Sequence, residues 1–142
     1  MLSQQEISDR FEIQDLLYRY AELIDGKRFD ELRDVFHEDA HIDYSAFGGS
    51  VGDREETIAF LKKAMPLFPN TQHLNANLQI TVEGDSGRGR VMCLNPQEMT
   101  LPDGSTQEIP ASAGDVLFTP AGPHLPKNIA DEAWELVLVE LK

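Results

Sequence analysis

Thr71-Gln72-His73-Leu74-Asn75-Ala76-Asn77-Leu78-Gln79-Ile80-Thr81-Val82 is the stretch in which the chain changes its period. His73, Asn75, Asn77, Gln79 and Thr81 alternate with Leu74, Ala76, Leu78, Ile80 and Val82. Successive side chains of a β-strand point to opposite faces, so this alternation predicts a strand with one polar and one apolar face. Glu83-Gly84-Asp85 then reads as a turn and residues 88–94 as the returning strand. Pro102-Asp103-Gly104 is a further turn, residues 116–119 a short strand, and residues 134–141 a longer closing strand.

Upstream the period is helical. Ser3 followed by Glu6 has capping-box spacing, and Ile7, Phe11, Ile13, Leu16, Leu17, Tyr20, Ala21 and Ile24 recur at roughly helical intervals. The pattern predicts a first helix over 3–25, with Gly26 as its stop. A shorter helix is expected over 29–36 with Leu32, Val35 and Phe36 inward, then a strand over 40–44 and a flexible turn over 47–52. Asp53 and Glu56 repeat the capping-box spacing ahead of a third helix whose apolar face is Ile58, Leu61 and Met65, bounded by Pro66 and Pro69. Helices first and antiparallel-type strands later define the α+β class.

The 142 residues suffice for one domain with a real core and are too few for two ordinary ones. A hydrophobic share of 41% and a charged share of 26% read as globular. The formal net charge of −13 argues against nucleic acid and anionic membrane surfaces, which repel a polyanion. The start of the sequence lacks the basic and apolar regions of a signal peptide, and no apolar run approaches the roughly 20 residues of a membrane span. A cytoplasmic protein is therefore expected. The single Cys93 has no disulfide partner and sits in the apolar run Val91-Met92-Cys93-Leu94, so it reads as a small core residue.

Two residues draw attention chemically. Asp25 falls at the predicted C-terminal end of the first helix, where the helix dipole disfavours a carboxylate, so it needs a partner. His73 opens the two-faced strand, and an imidazolium would suit. Spacing alone leaves both open to a plainer reading: a helix-terminal Asp before Gly, and a hydrogen-bonded structural His.

Glu12-Ile13-Gln14-Asp15-Leu16-Leu17-Tyr18-Arg19-Tyr20-Ala21 with Ile24-Asp25-Gly26 resembles the first helix of SnoaL-like polyketide cyclases and scytalone dehydratase-like proteins. Asp39-Ala40, Asp43-Tyr44, Phe47-Gly48-Gly49, Thr71-Gln72-His73-Leu74 and Asn95-Pro96 continue the match over about residues 5–106. The resemblance implies the cone-shaped fold of the nuclear transport factor family, in which N-terminal helices pack in a strongly curved antiparallel sheet around a deep pocket. It also implies an acid–base dyad, with Asp25 and His73 at the two catalytic positions. Asp25 would fix the tautomer of His73, and the other ring nitrogen would move a proton on a small carbonyl or polyketide-like molecule, without cofactor. Tyr20, Tyr44, Phe47, Phe68 and Met92 are the expected pocket lining. Tyr44 could polarise a substrate oxygen, although a strand-edge Tyr is more often plain packing.

His37-Glu38-Asp39-Ala40-His41 satisfies the H-E-x-x-H pattern, but that pattern binds zinc only on a continuous helix and with a third ligand. Here it reads as a helix-to-strand loop. Residues 114–128 resemble the second motif of cupins, and 134–142 the last strand of small cupin proteins. The matching His124 lacks the upstream histidine pair that cupins use, so no metal site is expected. The glycines at 48–52 and 87–89 lack the ending of a phosphate loop and read as turns. The expectation is thus a single domain over 1–142, SnoaL-like to 106 and cupin-like over 107–142, which is the pattern of a chimera whose tail completes the sheet. A sheet edge left broken by such a tail would favour dimers or swapped strands, and a homodimer is expected.

Overall fold

Both helix starts form as their capping residues dictate. In the computed structural model, which describes residues 1–45, 49–109 and, for the backbone, 113–118, helix α1 spans Gln4–Asp25 and helix α2 spans Arg54–Ala64. Ser3 Oγ accepts from the Glu6 N–H at 3.1 Å while the Glu6 carboxylate accepts from the Ser3 N–H at 2.6 Å. Asp53 and Glu56 do the same at 2.9 and 3.0 Å. Each reciprocal pair satisfies two backbone donors that a helix start leaves open.

α1 ends where expected, at Asp25 with Gly26 as its cap, but glycine does not supply the left-handed turn. Gly26 has an ordinary φ of −77°, and the left-handed residue is Lys27, at φ 56°. Arg28 N–H donates to the Leu23 carbonyl at 2.8 Å and Lys27 N–H to the Ile24 carbonyl at 3.1 Å, the two bonds of a Schellman motif. The second helix is a 3₁₀ helix, Phe29–Asp34, rather than an α-helix, and only Ile42–Asp43 of the strand expected over 40–44 is extended (β1). β1 pairs with β2, Val51–Gly52, inside the segment read as a turn.

The remaining strands are β3 (Asn70–Thr71), β4 (Leu74–Glu83), β5 (Ser86–Leu94), β6 (Gln97–Thr100), β7 (Thr106–Ile109) and β8 (Ala113–Phe118). They form two antiparallel sheets ordered β3-β6-β7 and β4-β5-β8. β3, β6 and β7 were absent from the sequence expectation, because their two to four residues carry no countable period. The closing strand expected over 134–141 lies outside the described residues.

The β4 faces are not the simple alternation read from the sequence. Ala76 pairs with Met92 but Gln79 with Arg90, so Asn77 and Leu78 together oppose Val91. Asn77 takes φ 52°. This is a β-bulge, which bends the strand and raises its twist. Past it the alternation changes phase. His73 and Asn75 share the inner side with Leu78, Ile80 and Val82, while Leu74, Ala76, Gln79 and Thr81 face outward. On β5 the inner residues are Gly89, Val91 and Cys93. The Cys93 reading holds: it is buried at 1% exposure.

Against this inner face lies the C-terminal half of α1, which buries Leu17, Tyr20, Ala21, Leu23 and Ile24. Leu23, Leu32, Phe36, Ile42, Ile58 and Val91 are the largest fully buried apolar side chains. At Gly87 the sheet comes close to α1, since a Cβ there would stand 2.9 Å from Ile13 Cδ1. Among the described residues no helix is long and apolar enough to cross a membrane.

The bulge supplies a first prediction. Left-handed backbone costs a side chain with a Cβ about 1–2 kcal/mol, and β-branching aggravates it. Asn77→Val is expected to destabilise by that order in urea unfolding, while Asn77→Gly loses nothing. Equal stability of Val and Asn at this position would mean that the bulge is not needed.

Candidate functional site

Asp25 is the last residue of α1, and β3 and the start of β4 run beside it. His73 N–H donates to Asp25 Oδ2 at 2.8 Å, and Thr71 Oγ1 donates to Oδ1 at 3.0 Å. The His73 ring completes the set, with Nδ1 at 2.7 Å from Oδ1. A carboxylate only accepts, so Nδ1 carries the proton and Nε2 is left as the base. These donors answer the unfavourable helix end. Burial pushes the Asp25 carboxyl up, but the bonds from the His73 ring and backbone, the His73 charge when present, and the Thr71 bond outweigh it and hold the carboxyl below its usual range. The His73 side chain is 5% exposed and that of Asp25 26%.

Sequence reasoning missed three members of this constellation. Asn95, directly after β5, places Nδ2 at 3.2 Å from His73 Nε2. As placed, the amide N–H donates to the unprotonated Nε2, and rotating the carboxamide would let its oxygen accept from a protonated one. Asn95 is 8% exposed, and its Oδ1 has no hydrogen-bond partner. Lys27 Nζ donates to Thr71 Oγ1 at 2.9 Å. The signal for Asn95 was a polar residue continuing the inner face of β5, and Thr71 stands in the block Thr71-Gln72-His73-Leu74 that carries the resemblance; for Lys27 there was none.

Of the residues expected to line a pocket, Tyr20 and Tyr44 join the site. Their hydroxyls lie 2.8 Å apart, and the Tyr20 ring meets His73 edge-on at 6.0 Å between centroids. Phe68 is half-buried and packs against the core cluster. Met92 is 43% exposed on the outer face of β5, facing away from Val91 and Cys93. Phe47 lies outside the described residues. An open groove of about 820 Å³ lies at the other end of α1, lined among others by Asp9, Ile13, Leu16, Phe36, Val82 and Gly87, and the dyad does not border it. The segment 37–41 is not helical, so its two histidines do not share a helix face. Among the described residues no three His, Cys, Asp or Glu side chains form a group that could hold a metal ion.

Helices packed against curved antiparallel sheets place the molecule in the α+β cone fold of NTF2-like, cystatin-like proteins. An NTF2-like protein with a cystatin-like fold from Novosphingobium aromaticivorans superposes with a TM-score of 0.59 at 20% identity, covering 94% of this chain and 82% of that one. Kfla4162 from Kribbella flavida does so at 0.65 and 20%, covering 94% and 90%. A protein proposed to be a scytalone dehydratase, also from N. aromaticivorans, does so at 0.56 and 18%, covering 92% and 97%. Within this fold the chain belongs to the SnoaL-like domain family, whose model matches residues 5–115. Rv2910c of Mycobacterium tuberculosis is 46% identical over 96 residues, and the match covers 68% of this chain but only 65% of that protein, slightly under two thirds of its length. The family match runs past residue 106, where the sequence suggested a change of family, and β8 beyond it pairs with β5.

Proposed function

We propose that the protein is a cofactor-independent acid–base enzyme, a dehydratase, isomerase or cyclase, acting on a small carbonyl or polyketide-like molecule. The observation that carries this reading is the 2.7 Å bond from Asp25 Oδ1 to Nδ1 of a nearly buried imidazole. Asp25 holds the tautomer and stabilises the imidazolium; Nε2, once Asn95 turns aside, takes a proton from carbon beside a carbonyl or from a hydroxyl. The carboxamide oxygen of Asn95 then accepts from the new Nε2–H, and the proton returns to an enolate oxygen or leaving group. Tyr44, whose hydroxyl bonds that of Tyr20, is a candidate to polarise the carbonyl. The scytalone dehydratase-like neighbour supports this class of chemistry. Such chemistry asks for no metal and suits a cytoplasmic protein.

The second reading is a non-catalytic small-molecule-binding module. Two observations favour it: Asn95 occupies the basic nitrogen, and the open groove lies away from the dyad. A homodimer through the outer sheet face, where Leu74, Met92 and Leu94 are exposed, is compatible with either reading. In both, the part of the cupin-like tail that the structure describes helps to close the sheet, a role supported by the β5–β8 pairing; the rest lies outside the described residues.

The deciding experiment follows deuterium uptake at the α-carbon of cyclic ketones such as 1-tetralone in D₂O, by mass spectrometry. Wild type is expected to exceed His73→Ala by a wide margin. Equal rates would remove His73 from its role and leave the binding reading.

A further inference from the structure

The end of α1 carries a contradiction. The left-handed position of a Schellman motif is where glycine is usually found, because any Cβ is strained there. This chain puts glycine one residue early, at φ −77°, and lysine in the strained position, at φ 56°. That arrangement is unfavourable unless the lysine side chain does something a glycine cannot.

Its side chain crosses to β3. Lys27 Nζ donates to Thr71 Oγ1 at 2.9 Å, and Thr71 donates to Asp25 Oδ1 at 3.0 Å. A hydroxyl has one proton. With an ammonium, which only donates, on the Thr71 oxygen, the threonine proton is free to go to the carboxylate. Every donor in the line then points at Asp25: Lys27 through Thr71 on one side, the His73 ring and backbone on the other. On the far side of the ring, Asn95 donates to Nε2.

We propose that Lys27 is a positioning residue for the Asp25–His73 pair, held in a strained backbone conformation so that its ammonium orients the Thr71 hydroxyl onto Asp25. This rests on the acid–base reading for its effect on turnover, but not for its effect on the pair itself.

The test is Lys27→Gly, with Lys27→Arg as the conservative variant. Lys27→Gly relieves the strain, so its Tm is expected to rise by about 2–8 °C. The downfield proton resonance of His73 Nδ1–H in NMR is expected to shift, because the carboxylate it faces has lost an oriented donor. In 1-tetralone exchange kcat is expected to fall about three- to tenfold with KM unchanged, the scale of one hydrogen bond. Lys27→Arg, which keeps charge and donor, is expected to restore both the resonance and kcat. A stabilised Lys27→Gly with the resonance unmoved would make Lys27 only a strained helix end and overturn the proposal; so would a Lys27→Gly less stable than wild type. If wild type exchanges no 1-tetralone, the resonance decides alone: a shift upholds the positioning role while the acid–base reading falls.

Discussion

Asp25→Asn is expected to slow proton transfer by about 10²–10⁴-fold, the range that positioned acid–base groups contribute. The substitution keeps the shape of the side chain and removes one acceptor. Three donors converge on the two carboxylate oxygens: the His73 ring, the His73 backbone N–H and the Thr71 hydroxyl. An amide offers one oxygen and one NH₂, so some donor meets another donor. The His73 ring relieves the conflict most cheaply by changing tautomer, so that Nδ1 accepts and Nε2 carries the proton. The reacting nitrogen is then no longer a base, and no carboxylate remains to stabilise an imidazolium.

The same substitution has a signature in stability. The folded-state pKa of Asp25 is lowered, so its contribution is fully present above the unfolded value of about 3.9 and is lost as pH falls through the folded value. Wild type is therefore expected to lose stability below about pH 4 more steeply than Asp25→Asn. Because Asp25 is partly solvent-accessible, the difference is modest. Urea unfolding at pH 7 and pH 3 measures it. A variant with wild-type exchange rates and a wild-type acid slope would show that the 2.7 Å contact has no consequence.

The helices were legible because their signals are local: two capping boxes and an apolar period suffice to place α1 and α2. The bulge was not, because alternation is a local rule and Asn77 breaks it through pairing with a distant strand. Read strictly, β4 divides into a polar and an apolar face. The structure instead sets His73 and Asn75 beside Leu78, Ile80 and Val82, which is how a titratable ring comes to face an apolar core. Lys27 was hidden for a related reason. A glycine after a helix is a strong stop signal, and Gly26 drew the reading one residue from where the chain turns left-handed. Asp25 and His73 could each be singled out locally, but their pairing was legible only through family resemblance, since the 47 positions between them carry no record of their contact. Met92 shows the limit of composition: an apolar residue on a predicted strand can as well face outward as in.

Phe36→Ala is expected to destabilise the fold by about 3–5 kcal/mol, the usual range for deleting a buried aromatic ring. Phe36 is 1% exposed, just past the 3₁₀ helix, and belongs to the same buried cluster as Leu23, Leu32 and Ile42. Such a loss is a large part of a typical domain's 5–15 kcal/mol, so the variant is expected to populate unfolded chains on mild heating. The consequence reaches the site. The Tyr20 ring is held between Phe36, at 5.7 Å and 53°, and His73, at 6.0 Å and 83°. With Phe36 shortened, Tyr20 gains room to leave the ring edge of His73 and to break its 2.8 Å bond with Tyr44. Phe36→Leu separates the two effects, because it retains most of the apolar volume and loses only the aromatic contact. It is expected to stay folded, with a smaller loss in urea unfolding, and to change the Tyr20 and His73 ring resonances. A loss below about 1.5 kcal/mol for Phe36→Ala would show that the core collapses around the gap. Unchanged ring resonances in Phe36→Leu would show that the Phe36 ring does not hold Tyr20 in place.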